Sequence, residues 1–197
     1  MYFLSFSCRD SGPEDLNLPI PKDSCVVFES IFDDSSLVNL YPNWQNEWGV
    51  ANCTKVNSVN YFVPRSFRRS NSNDFSLQLL SFDKDSILAD AVIFVGIPLK
   101  EGCYNIVEQC SSIINFNNVC VIFDNWNYDT VIDSYLIDTN RADNKIEIVS
   151  IDTVQKIMEG RFACSFVFAN DRPKWDSFNL DTMRFFNGYF KGKYQDR

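Results

Sequence analysis

The carboxylates that this sequence sets directly after apolar, β-branched runs are its best candidates for chemistry. Asp124 ends the run Val119, Cys120, Val121, Ile122 and Phe123, and Asn125 and Trp126 follow it with hydrogen-bonding groups and a stacking face. A carboxylate so placed can hold a metal, a ribose or a substrate hydroxyl, and an Asp that only caps a turn carries the same signature. Asp83 and Asp85 flank Lys84 in a D-x-D form able to hold a divalent cation, Mg or Mn, against a diphosphate. Two acidic residues before Ser86 are also an ordinary start to a helix. Asp124, Asp83 and Asp85 are thus the candidate catalytic residues, and Asp83 and Asp85 the candidate metal ligands.

Groups that could bind a ligand lie nearby in sequence. Gly96 to Gly102, with Lys100 between them, follows the run from Ala91 to Val95, where a backbone cradle at a helix N-terminus would attract phosphate. Its spacing is neither G-x-G-x-x-G nor the P-loop pattern, and Pro98 removes a donor. Asp152 follows the run from Ile146 to Ser150. Arg65, Arg68 and Arg69 form a cationic cluster that can grip phosphate bidentately, in a stretch whose polarity also suits a plain solvated loop.

Composition narrows the chemistry. The chain has no histidine, which removes Ser-His-Asp and Cys-His nucleophiles, His-containing zinc sites and the histidine pH switch. A formal charge of −8 makes nucleic acid or an acidic membrane an unsuitable partner and favours a cation or a basic protein surface. The seven cysteines are odd in number, form no C-x-x-C and sit partly inside apolar runs. They are expected to be free thiols in a reducing compartment. The apolar opening at Met1 to Phe6 lacks a basic flank and meets Arg9 and Asp10 at once, and no run approaches the roughly 20 apolar residues of a membrane span. The expected location is a cytoplasm, that of a host cell if the chain is virus-encoded.

The elements that must position these groups read as α/β. Runs from Ala91, Val119, Ile146 and Ser165 are apolar on both faces, as strands of a parallel sheet covered by helices on both sides are. Between them the spacing predicts helices over about 102–116, from Asp129, from Asp152 and over about 180–190, with a helical turn at 87–90. Residues 75–79 alternate as a half-buried strand, 2–6 and 25–28 read as further strands, and 65–74 as the clearest loop. The expected architecture is a single α/β domain over 1–197. It is a mainly parallel sheet flanked by helices, Rossmann-like or flavodoxin-like, with an irregular N-terminal lobe over about 1–74 and a regular repeat over about 75–197. Strands at Ala91, Val119 and Ile146 are expected to be central and mutually parallel, with Ile93, Val121 and Ile148 buried.

Two local resemblances accompany this reading. Tyr2, Phe3, Leu4, Ser5 and Phe6 resemble the first strand of TIR domains, over those residues alone; the W-C-x-x-E-L context of that family's glutamate is not reproduced, since Trp48, Gly49 and Val50 follow Glu47. Residues 89–124 are similar in rhythm to one Rossmann-like half of a GT-B glycosyltransferase, an enzyme that needs two such halves. Together these features point to an intracellular domain binding a nucleotide, nucleotide-sugar or similar phosphorylated small molecule, with transfer or hydrolysis on carboxylates. The alternative is a non-catalytic interaction protein whose acidic surface engages a protein partner.

Overall fold

In the computed structural model, the described residues are 49–55, 58–68, 73–107, 119–169, 172–177 and 179–196. They contain ten strands and no helix. In order these are β1 (Gly49–Lys55), β2 (Ser58–Arg68), β3 (Asp74–Phe82), β4 (Leu88–Pro98), β5 (Gly102–Val107), β6 (Val119–Asn127), β7 (Thr130–Ile137), β8 (Lys145–Asp152), β9 (Ile157–Phe168) and β10 (Thr182–Asp196). The α/β expectation, Rossmann-like or flavodoxin-like, is therefore overturned, and with it the GT-B rhythm.

The apolar runs are strands, but the segments between them are strands too. Where helices were expected, β5 begins at Gly102, β7 follows Asp129, β9 follows Asp152 and β10 covers 182–196, and in place of the helical turn expected at 87–90 the residues from Leu88 on already belong to β4. Thr130, Val131, Ile132, Tyr135 and Ile137 are β-branched or aromatic and prefer a pleated surface to a helix. In β7 they alternate, with Asp133, Tyr135 and Ile137 buried and Leu136 exposed. The 65–74 loop is shortened from both sides, since β2 runs to Arg68 and β3 starts at Asp74. Strand β3 covers the alternating stretch as expected. The strands read at 2–6 and 25–28, and the 108–116 part of the first helix, lie outside the described residues.

Pairing closes the sheet on itself. Going round, β2 pairs β3, β3 pairs β4, β4 pairs β6, and β9 pairs β10. The gap between β6 and β9 is filled in two storeys, by β7 above and by β5 with β8 below. The gap between β10 and β2 is filled by β1, below which β10 meets β2 directly. Contrary to expectation the runs at Ala91 and Val119 are antiparallel neighbours. Among the described residues only β5 with β6 and β10 with β2 pair in parallel. Val121 and Ile148 are buried as expected, whereas Ile93 faces outward and is half-buried.

Closure explains the burial pattern. Alternate residues of each strand point into the barrel, and Phe75, Leu77, Phe94, Phe123, Phe162, Phe166, Phe185 and Phe190 fill it. The Phe123 ring lies 4.9 Å from that of Phe185, 5.0 Å from Tyr135 and 5.6 Å from Phe166. The outer face keeps Ile93, Val95 and Ile122 half-buried, so the strands look apolar on both sides, and no helix occurs among the described residues.

Asn144 holds the place where β9 exchanges β8 for β7 as its partner. Its side chain accepts the Ser165 N–H at 2.8 Å and donates to the Asp138 carbonyl at 2.6 Å, and its carbonyl accepts the Ile106 N–H at 3.1 Å. Asn144→Ala leaves a buried donor and a buried acceptor unmet, and is expected to cost about 2 kcal/mol. Urea denaturation measures this, and an unchanged midpoint would show that the junction holds without the amide.

Candidate functional site

The barrel has two ends, and the residues singled out in the sequence are divided between them. The upper end carries the β3–β4 turn, the β6–β7 tip and the segment between β9 and β10. The lower end carries the β2–β3, β4–β5 and β8–β9 connections.

At the upper end, Asp83 and Asp85 are exposed on the β3–β4 turn, where an Asp83 carboxylate oxygen accepts the N–H groups of Asp85 and Ile87 at 2.8 and 2.9 Å. That is the turn-forming use of an Asp side chain. Asp124 points to the outer face of β6 and accepts the Ser134 hydroxyl at 2.7 Å. Partial burial pushes its carboxyl above the usual range, against the lowering effect of that hydroxyl. Asn125 points inward instead, and Trp126 is half-buried with its indole N–H enclosed.

At the lower end, Gly96 is buried, Lys100 is exposed, and Asp152 is exposed with a carboxylate oxygen accepting the N–H groups of Val154 and Gln155 at 2.8 Å each. Arg68 lies 3.9 Å from Asp196, and Arg65 is further up β2. Arg69 lies outside the described residues. No cluster of three or more His, Cys, Asp or Glu side chains suited to a metal ion occurs among the described residues. Asp124, Asp83 and Asp85 therefore share the upper end without converging, and the arginines and Lys100 lie away from all three.

The groups that do converge were not picked out from the sequence. Under the upper rim, Lys55 Nζ lies 2.7 Å from Asp90, and Asp90 accepts from Asn125 at 3.1 Å. Asn179 donates to Asn125 at 3.4 Å and to Asp133 at 2.7 Å, and Asp133 also accepts the Trp175 N–H at 3.1 Å. This network joins β1, β4, β6 and β7 to the segment between β9 and β10, above the Phe123 and Phe185 rings, which Lys55 covers at 5.0 and 5.9 Å. Tyr135 is fully buried and donates to the Leu180 carbonyl at 3.0 Å; burial first, then the nearby Asp133, Asp181, Asp90 and Asp176, push its phenol up to about 12. One signal for these residues exists in the sequence. Asp90 stands two before Val92 and Asp133 two before Tyr135, so each is a polar residue on the apolar face of a strand.

Burial alone would raise the Asp133 carboxyl. Hydrogen bonds from Asn179 and from the N–H groups of Trp175 and Asp176, with Arg172 nearby, more than reverse this and hold it below the usual range. Its contribution to stability is therefore present above the ordinary carboxylate value and lost as pH falls through the lower folded value. Asp133→Asn is expected to lower the melting temperature at neutral pH, by an amount that shrinks on acidification. A deficit independent of pH would mean that shape rather than charge matters there.

The rim above the network is exposed, acidic and aromatic. Trp175 and Tyr128 are 67% and 68% exposed, and Asp83, Lys84, Asp85, Asp129 and Asp181 are exposed at the same end of the barrel, Asp181 in an ion pair with Lys174. Tyr128 occupies the two-residue tip between Asn127 and Thr130 at φ +59°, a left-handed conformation rarely taken by a bulky side chain. Arg172 already stacks on Trp175 at 5.5 Å. No protein-family model, curated protein or solved structure matches the chain.

Proposed function

We propose that the protein is a binding module, without a reaction of its own, whose upper rim engages a basic segment of a protein partner. The observation that carries this reading is the exposure of Trp175 and Tyr128 at the end of the barrel that also exposes Asp83, Asp85, Asp129 and Asp181. Aromatic faces attract Lys and Arg, carboxylates complement their charge, and exposed aromatics are typical anchors of interfaces. The filled interior supports it from the other side: phenylalanines occupy the space in which a carrier barrel would hold its ligand. The expectation of a nucleotide or nucleotide-sugar rested on the carboxyl edge of an open parallel sheet, and a closed, mostly antiparallel barrel has no such edge.

We further propose an oxidising compartment in place of the cytoplasm. Cys103 and Cys120 are disulfide-bonded, which corrects the expectation that all cysteines are thiols, and such bonds persist where thiol reductants are scarce. The Cys120 sulfur lies 3.8 Å from the Val95 carbonyl oxygen, a contact and not a hydrogen bond, since a disulfide sulfur carries no proton.

Peptides of one length and scaffold, carrying Lys and Arg, Asp and Glu, or neutral side chains, test the rim by fluorescence anisotropy. The basic peptide is expected to bind, more weakly at high salt, and Trp175→Ala to weaken it about tenfold, the equivalent of 1.4 kcal/mol. Equal binding of all three peptides, or of the acidic one alone, would overturn the reading.

A further inference from the structure

Beside the place where β9 exchanges β8 for β7, the outer wall holds a cavity of about 400 Å³ between the 138–144 connection, β9 and the start of β10. Small-molecule sites run from about 300 to 1,000 Å³. Arg184 stands opposite Ser165 there, and both alternate with the core residues Phe185 and Phe166, so they face outward. Hydrogen bonds hold the walls. The Asp138 carbonyl accepts the Arg141 N–H at 3.1 Å and the Asn144 amide at 2.6 Å, and the Asp138 N–H donates to the Ser165 carbonyl at 2.7 Å. Arg141 donates to Asp143 through Nε and Nη2 at 3.1 and 3.0 Å; Arg184 reaches the same carboxylate at 3.3 Å, its guanidinium 4.9 Å from the Phe186 ring. Asp143 thus fixes both guanidiniums side by side, and they remain 43% and 40% exposed.

Two unmet polar groups line this cavity. Ser165 is 7% exposed, and its hydroxyl makes no hydrogen bond among the described residues, although buried hydroxyls ordinarily find a partner. One Asp138 carboxylate oxygen accepts the Asn140 N–H and Nδ2 at 3.1 Å each, and the other makes no hydrogen bond among the described residues. The charges of Arg141, Arg184, Asp138 and Asp143 cancel, so the lining favours neither a plain anion nor a plain cation. It suits a ligand that carries both signs. Leu180, 49% exposed, and Met183 add an apolar side. We propose that the cavity binds a zwitterionic α-amino acid with an apolar side chain, its carboxylate on Arg141, Arg184 and Ser165, its ammonium on Asp138 and its side chain against Leu180 and Met183. This site is separate from the upper rim and does not rest on the reading given to the rim.

Isothermal titration calorimetry of the full chain with leucine, leucinamide and N-acetylleucine removes one ligand charge at a time. Leucine is expected to bind saturably and each analogue at least about tenfold more weakly, the loss that follows from one missing charge-assisted hydrogen bond. Arg184→Gln, which leaves Arg141 on Asp143, is expected to weaken leucine about tenfold by the same reasoning. Asp138→Asn is expected to abolish the preference for leucine over N-acetylleucine. No saturable binding of leucine to the parent protein, or equal affinity for leucine and either analogue, would overturn the inference, and those measurements stand whether or not a variant folds. Parental affinity in the Arg184→Gln protein would overturn it as well.

Discussion

Phe123→Ala is expected to cost about 4 kcal/mol of folding stability, a large share of what a domain of this size has in reserve. The ring is fully buried, and its neighbours Tyr135, Phe166 and Phe185 come from three different strands. Removing it leaves a cavity that no single strand can fill by moving, because each is held in register on both sides. The loss also withdraws the floor on which Lys55 rests at 5.0 Å. Denaturation in urea gives the number, and Phe123→Leu, which keeps most of the volume, is expected to cost far less. Equal losses for the two variants would show that the geometry of the aromatic ring, more than the cavity it leaves, sets the cost.

Lys55→Met is expected to be of similar size, about 3 kcal/mol, for a different reason. The Lys55 and Asp90 side chains are 16% and 8% exposed at a separation of 2.7 Å, so removing the ammonium strands a carboxylate away from water. Breaking one half of a buried pair costs several kcal/mol, whereas an exposed pair of the same geometry is worth about 1 kcal/mol or less. Asn125 remains bonded to Asp90 at 3.1 Å and softens the loss without replacing the charge. Replacing both partners, Lys55→Met with Asp90→Leu, is expected to recover much of the deficit. A Lys55→Met variant within about 1 kcal/mol of the parent would show that the pair is effectively solvated and that the network does not fasten the upper end.

The strands were legible and their arrangement was not. The runs beginning at Ala91, Val119, Ile146 and Ser165 are strands, and the alternation of Phe75, Leu77 and Leu79 against Ser76 and Gln78 reads correctly as a half-buried strand. Short stretches such as Val131, Ile132, Tyr135 and Leu136 match a helical face and a strand equally well over so few residues, and the tie is broken by β-branching and by the partners available. Those partners are distant in sequence. β10 closes the barrel against β2, pairing Tyr194 with Ser66, and no local pattern announces that contact.

The candidate site residues do not converge, for the same reason. Asp124 follows an apolar run, as the carboxyl-edge rule requires, but in an antiparallel barrel the run continues into a hairpin, and Asp124 is left on the outer wall beside Ser134. Asn125, its neighbour, lies in the network because the next residue of a strand faces the other way. Trp175 and Asn179 stand in a segment without periodicity, and only the fold brings them to Asp133.

Amide chemical-shift mapping of the oxidised full chain with the basic peptide decides whether the upper rim, and neither the interior nor the lower end, is the working surface. Shifts are expected to concentrate on the β3–β4 turn around Asp83 and Asp85, on Tyr128 and Asp129, and on residues 172–181, with Phe94 and Phe162 in the interior unmoved. Shifts centred on Lys100, Asp152 and Arg68 at the lower end, or spread through the phenylalanine core, would refute the assignment of the rim.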